Sequence, residues 1–435
     1  MNLERSTKLR PRAHELIPGG AHTYAKGDDQ FPSTAPGFIA RGEGSHVWDV
    51  DGNEFIEFGS GLRAVTLGHG YRPVVEAACR ALQLGTNFVR PAALEVEAAE
   101  KVLGLIGTGE MIKFAKNGSD VTTAALKLAR AVTGRDLLGV CAEQPFFSTD
   151  DWFIGTTAMN AGIPHAISSM TLKFNFNDLA SAKKLFDDYP NKIACLFLEA
   201  ETVTPPAPGF LQGLLDLCHT NGALLVLDEM ITGFRWHNAG AQGLYQFQPD
   251  ISCFGKAMGN GLSISAMIGK REFMSRGGLC HDKERVFLLS TTHGAETHHL
   301  AAAMAVVDAY QSHDVIGHMN RVGSNLSAGV TEVVRELGMQ DFFQLAGRKG
   351  NLVFATLDDK KQRSQPFRTL FLQEMARQGI LTPSFVVSYA HSDADIDRTI
   401  ECTRRALQVY QRALTDGVEK YIVGPSVKPV LRKFN

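Results

Sequence analysis

Ala223-Leu224-Leu225-Val226-Leu227-Asp228 is an apolar run closed by a carboxylate, and its reading decides the fold. An unbroken run leaves no polar face for solvent, so Leu224–Asp228 is expected to be a strand covered on both sides. Short apolar runs recur at Leu137–Cys141, Ile193–Glu199, Ile251–Phe254 and Ser265–Gly269. Helical patterns over Asp120–Val132 and Leu211–Thr220 fall between them. This alternation predicts an α/β fold around a mostly parallel sheet with helices on both faces. Ligands of such sheets collect at the carboxyl ends of strands, which is where Asp228 falls.

Outward from that centre the pattern changes. Pro18-Gly19-Gly20 and residues 32–37 mark loops, and residues 47–56 alternate around Asp51-Gly52-Asn53, a hairpin signal. Leu300–Tyr310 reads as a helix, and a helix-rich stretch from about residue 311 leads to a strand pattern at Leu352–Leu357. At 435 residues the chain exceeds what one core usually supports. The expected division is a large domain over 61–310 and a smaller α/β domain built from both ends, 1–60 and 311–435.

Bulk composition narrows the partners. The net charge of −2 gives no electrostatic case for nucleic acid or an anionic membrane. No apolar run approaches the length of a bilayer span, and the charged N-terminus lacks the apolar core of a secretory signal. The seven cysteines are scattered without a Cys-x-x-Cys pair, and several sit in apolar runs. They read as reduced core residues, not as a metal or disulfide framework, and imply a cytoplasmic protein with no metal site.

Ser252-Cys253-Phe254-Gly255-Lys256-Ala257-Met258-Gly259-Asn260-Gly261 places a lone lysine among glycines, downstream of the strand that ends in Asp228. Chemistry based on pyridoxal phosphate (PLP) needs these two parts. An amine holds the aldehyde as a Schiff base, and a carboxylate keeps the pyridine nitrogen protonated. A Gly-Lys pair alone fits a surface lysine as well; agreement with other segments separates the two readings. Asn117-Gly118-Ser119-Asp120 precedes a helical pattern and offers backbone donors to a phosphate, although Ser119 or Asp120 also suits a plain N-cap. Phe146 and Phe147 follow a strand and would either cover a planar ring or fill core. Other classes fit poorly. Position 250 is Asp and position 257 is Ala, which breaks the P-loop pattern, and the Gly-x-Gly sites lack a third glycine. His14-Glu15 starts a zinc-protease pattern that Pro18 ends.

Leu227-Asp228-Glu229-Met230-Ile231-Thr232-Gly233-Phe234-Arg235, Gln248-Pro249-Asp250-Ile251, Gly255-Lys256 and Gly259-Asn260-Gly261 resemble the class III (ω-type) aminotransferases. Leu16-Ile17-Pro18-Gly19-Gly20, Trp48-Asp49-Val50-Asp51-Gly52 and Leu67-Gly68-His69-Gly70 look like the glutamate-1-semialdehyde aminomutase branch. The resemblance spans nearly the whole chain. It implies PLP-dependent transferase fold type I, Lys256 as the Schiff-base lysine and Asp228 as the pyridinium partner. Gly118 and Ser119 match the phosphate turn, Phe146 the ring-stacking aromatic, and Glu199 the acid of a Glu-Pro pair, here followed by Ala200. Thr292 matches a threonine that reaches the phosphate bound by the other subunit, which implies a homodimer with shared active sites.

Two departures bear on substrate. The branch's N-terminal substrate arginine is replaced within Tyr24-Ala25-Lys26-Gly27-Asp28-Asp29, and a Phe-Glu-Ala stretch after Pro383-Ser384 is missing. The resemblance therefore implies a ping-pong aminotransferase, with an amino acid such as glutamate as donor and a small carbonyl acceptor. A polar loop with Lys26 suits a hydroxyl-rich acceptor, a sugar or sugar acid such as an 8-oxo octulosonate destined for a bacterial surface polysaccharide. Lys26, Asp28 and Asp29 suit a solvated turn equally. Arg63 reads as a carboxylate holder or as a surface ion-pair partner. The rival function is a PLP-dependent isomerase, an aminomutase or a racemase.

Overall fold

The structure, a computed structural model, describes residues 1–144 and 147–434. It divides into two compact units, Arg72–Ile316 with Leu431–Asn435, and Met1–Tyr71 with Gly317–Val430.

In the larger unit β1 (Met111–Ala115), β2 (Leu137–Cys141), β3 (Thr171–Phe174), β4 (Ile193–Leu198), β5 (Leu224–Asp228), β6 (Ile251–Phe254) and β7 (Ser265–Gly269) form one sheet. Its order is β1-β7-β6-β5-β4-β2-β3. Pairing is parallel from β6 to β3, while β7 runs antiparallel to both β6 and β1. The sheet is therefore mostly parallel, as the apolar runs predict, with one reversed strand. Every residue of β4, β5, β6 and β7 is buried, which explains why those strands show no polar alternation. The outer strands β1 and β3 carry Lys113 and Lys173 at exposed positions. Lysine suits a sheet edge and interrupts the apolar signal there.

Side chains of β5 alternate between two cores, as strand geometry requires. Leu224 and Val226 join the cluster of Val121, Ala124, Ala125 and Leu128 from helix α1 (Gly118–Thr133). Leu225 and Leu227 join Phe210, Leu214 and Cys218 on the opposite face. Burying each Leu or Val side chain is worth about 1.5–3 kcal/mol, so these two clusters fix the phase of the strand.

The smaller unit holds a four-stranded sheet of Ile39–Glu43, His46–Asp49, Glu54–Glu57 and Ile380–Leu381, the last parallel to its neighbour. The expected hairpin is present, with Trp48 opposite Glu54 and Asp49 Oδ1 accepting from Asp51 N (3.0 Å) and Asn53 N (2.8 Å). A three-stranded sheet combines Phe343–Ala346, Asn351–Thr356 and Phe385–Val386. All seven cysteines are free, five of them buried. Among the described residues no helix is long and apolar enough to cross a membrane.

Candidate active site

Because β2, β4, β5 and β6 are parallel, the residues after their carboxyl ends share one edge of the sheet. Register adds β7 and β1 to that edge, since Ser265 pairs with Ala115. Asp228 ends β5, and the alternation along β5 directs it to the face that carries α1. It is 5% exposed, and its Oδ1 accepts from Met230 N at 2.8 Å. Burial pushes its carboxyl up; the positive charge of Lys256 and the Met230 N–H pull back, and it settles at about 6.

Lys256 stands two residues beyond β6, half-buried, with φ at +45°. A left-handed backbone at a residue with a Cβ costs about 1–2 kcal/mol, a strain kept where the surroundings over-determine it. Three segments meet at Met230. A Cβ on Gly255 would lie 2.6 Å from its sulfur, and one on Gly118 would lie 3.1 Å from it. The glycines on either side of Met230 thus bring the Lys256 loop and the start of α1 to the segment that carries Asp228.

The turn before α1 is held from both sides. Asp120 Oδ2 accepts from Asn117 N (2.8 Å) and Lys116 N (3.3 Å), while Ser263 Oγ and Ser265 Oγ donate to the carbonyls of Lys116 (3.0 Å) and Asn117 (2.7 Å). Asn117, not Ser119 or Asp120, is the N-cap residue. Ser119 Oγ accepts from Thr149 N (3.1 Å) and Thr149 Oγ1 (3.3 Å), so its own proton is left to donate elsewhere. The first N–H groups of a 16-residue helix have no partner within it and carry partial positive charge.

Glu199 follows β4 and is half-buried; Gln144, which follows β2, brackets its backbone with Oε1 to Glu199 N (2.8 Å) and Nε2 to Glu199 O (2.9 Å). Phe146 lies outside the described residues. Phe147 belongs to the core, with ring centroids 5.7 Å from Phe153 and 5.0 Å from Phe197. Thr292 is exposed, and its carbonyl accepts from Asn87 Nδ2 at 2.8 Å.

Lys26 and Arg63 belong to the smaller unit. Lys26 is exposed. The acids beside it serve the chain itself: Asp28 engages Arg10 Nε (3.3 Å) and His14 Nε2 (3.0 Å), and Asp29 accepts from Gln30 Nε2 (3.1 Å). Arg63 closes a left-handed turn, Ser60–Arg63, and donates through Nε to Asn351 Oδ1 (2.7 Å) and through Nη2 to Ser384 Oγ (3.5 Å).

Sequence reasoning passed over Glu229 as an individual, although two adjacent acids at a strand end are a signal. Glu229 is 1% exposed and accepts from Ala241 N (2.8 Å), Gln242 N (2.9 Å) and the Thr232 hydroxyl. It caps helix α2 (Gly240–Leu244) and fixes the segment just after Asp228. Burial raises its carboxyl to about 7 against those hydrogen bonds. Thr149, Met230 and Ser265 were also missed, since their roles depend on partners far along the chain.

The edge therefore joins an anion-receptive helix start, a buried carboxylate suited to a cation, and an amine. Comparisons with known proteins agree in kind. A model of the family described as aminotransferase class-III matches residues 24–407. The chain is 32% identical over 430 residues to a glutamate-1-semialdehyde 2,1-aminomutase of Desulfitobacterium hafniense, covering 93% of this chain and 98% of that protein. The FumI protein of Sphingopyxis sp. MTA144, solved in its PLP internal aldimine form, superposes with a TM-score of 0.85 at 25% identity, covering 95% and 98% of the two chains. An ω-transaminase from Sphaerobacter thermophilus has the same fold, with a TM-score of 0.80 at 22% identity and coverage of 93% and 98%.

Proposed function

The chain belongs to the class-III aminotransferase family, and from that footing we propose that it is a PLP-dependent transaminase with Lys256 and Asp228 as its catalytic residues. The observation that carries the reading is geometric: Asp228, buried at the end of β5, shares one edge of the sheet with the start of α1 and the Lys256 loop, which both meet Met230. A buried acid without a cation is costly, and a protonated ring nitrogen relieves that cost. The donor set suits the rest of the cofactor: a phosphate at the start of α1 with Gly118 and Ser119, and an aldehyde at the Lys256 amine. When bound, PLP supplies an acceptor for the electron pair released as a substrate C–H bond breaks. Asp228, as a carboxylate, holds the positive charge that makes this possible. Lys256 Nζ takes the donor's α-proton and later returns it. Phe146 is assigned to the ring face and Glu199 to cofactor binding.

Thr292 is assigned to the phosphate site of a second copy, so the working unit is a homodimer. For the acceptor we favour a sugar or sugar-acid carbonyl such as an 8-oxo octulosonate, with glutamate as donor and the cytoplasm as compartment. Pairing of Asp28 and Asp29 within the chain leaves Lys26 as the loop's candidate for hydroxyl groups. Arg63, oriented by Asn351 and Ser384, is the candidate for the carboxylate of an acid. Arg63→Ala is then expected to raise KM for acidic carbonyls about tenfold or more while leaving neutral aldehydes unaffected.

A second reading draws on the name of the 32%-identical relative: an isomerase acting on glutamate-1-semialdehyde. Spectroscopy separates the two. A transaminase given its donor alone loses the visible absorbance of bound cofactor and stalls until a carbonyl acceptor restores it. An isomerase consumes one compound to equilibrium with no second substrate. Lys256→Ala is expected to abolish the donor half-reaction, by a factor on the order of 10³ or more, while cofactor still binds noncovalently. Comparable turnover in that variant would remove the assignment.

A further inference from the structure

Behind the phosphate turn lies an ion pair that the proposed chemistry does not use. Lys116 Nζ stands 2.6 Å from Glu296 Oε1, and Glu296 is 6% exposed. Glu296 is the N-cap position of helix α3 (Thr297–Ser312), and Lys116 immediately precedes Asn117 and Gly118. We propose that Lys116 and Glu296 are positioning residues that hold the phosphate turn and the Thr292 segment in one register, so that cofactor affinity depends on the pair. The proposal rests on the PLP reading above.

The segment from Thr291 to Glu296 is tied at both ends. Asn87 Nδ2 donates to the Thr292 carbonyl, and Thr297 bonds through N to Thr86 O (3.1 Å) and through Oγ1 to Gly85 O (2.7 Å). Within it, His293 Nδ1 lies 3.1 Å from Glu296 Oε1, and His299 Nδ1 lies 3.5 Å from Oε2. Lys116 links this assembly to the turn, and its own carbonyl is held by Ser263. Backbone and side chain of Lys116 are therefore both anchored, which leaves the peptides that begin α1 little freedom.

The countercharge comes from Lys116 more than from His299. Burial and the neighbouring His298 lower the pKa of His299, which keeps it neutral near pH 7. Burial would raise the Glu296 carboxyl, yet the hydrogen bond from Lys116 leads the effects that hold it at about 2. Removing one member leaves a largely buried charge without its main partner, and the local structure must rearrange to solvate it.

Charge alone predicts the opposite result, which makes the proposal testable. Glu296→Gln deletes a negative charge close to a phosphate site, so a purely coulombic role would tighten binding. Positioning predicts that Glu296→Gln and Lys116→Met each weaken the PLP dissociation constant of the apo-protein about tenfold, or about 1.4 kcal/mol. The double variant should be no weaker than the poorer single, and Glu296→Asp should recover part of the loss. Unchanged or tighter binding, strictly additive losses, or a lower melting temperature with intact affinity would overturn it. If Glu296→Gln fails to fold, Glu296→Asp decides: it keeps the charge, so a coulombic role leaves affinity unchanged, whereas positioning weakens it. A wild-type protein that binds no PLP removes the parent reading and this one together; normal wild-type binding with unaffected variants removes this one alone.

Discussion

Asp228 sets function against stability within a single side chain. Its folded-state carboxyl, at about 6, lies above the ordinary 3.8, so folding favours the protonated form. The stabilisation that protonation brings is complete below pH 4 and is lost as pH rises through 6. Asparagine resembles the protonated acid and can still accept from Met230 N. Asp228→Asn apo-protein should therefore melt at a higher temperature than wild type at pH 8, by an amount corresponding to about 3 kcal/mol, with the gap closing near pH 4. Cofactor affinity and transamination should fall at the same time, by a factor on the order of 10² or more. Parallel melting curves for the two proteins from pH 4 to 8 would show that burial does not strain this acid. Lys256, Asp228, Gly118 and Ser119 were legible because each stands in a short local motif. Glu296 and Lys116 were not, because 180 residues separate them and neither carries a motif of its own.

Elements were legible where burial was complete. The predicted bounds of β2, β5, β6 and β7 coincide with those observed, because strands covered on both faces are mainly apolar, with Asp228, Ser252 and Ser265 as their polar members. β1 and β3 escaped notice because their edge lysines imitate loop composition, and nothing in the sequence of β7 marks its reversal. Pairing direction depends on the connection, and composition does not encode it. Helix α2 shows how a short element depends on one acid. A Cβ on Gly240, where φ is +74°, would lie 2.2 Å from Glu229 Oε2. Gly240→Ala must displace the carboxylate that caps Ala241 and Gln242 and also force an alanine into the left-handed region. The expected cost is on the order of 3 kcal/mol, from strain and a lost cap together. Because Glu229 adjoins Asp228, PLP affinity should fall as well, readable by titration of the apo-protein. A variant as stable as wild type would mean that the cap contributes little.

At the scale of the whole molecule, the surface of the larger unit raises the question of a second copy. Val89 is fully exposed, Leu84 is 81% and Phe88 52% exposed, and Asn87 among them holds the Thr292 carbonyl. Phe287, a few residues before Thr292, is 69% exposed. Single exposed apolar residues are ordinary, but two hydrogen-bonded segments that both display them suit a protein interface. A second copy of this chain is the occupant that would also bring Thr292 to a neighbouring phosphate site. Complementation tests this. Lys256→Ala lacks the amine and Thr292→Ala lacks the hydroxyl, so neither variant alone has a complete site. If Thr292 acts across the interface, a mixed dimer pairs the intact Lys256 of one copy with the intact Thr292 of the other. Equal mixing after dissociation and reassembly then restores up to about a quarter of the sites, because half of the dimers are mixed and each has one good site. If Thr292 served its own subunit, mixing would restore nothing beyond the sum of the two inactive proteins. Val89→Asp supplies the control: if this surface joins two copies, a charge there should shift a dimer towards the 47.4 kDa monomer and weaken PLP binding. A monomeric variant with unchanged affinity would place Thr292 outside the phosphate site.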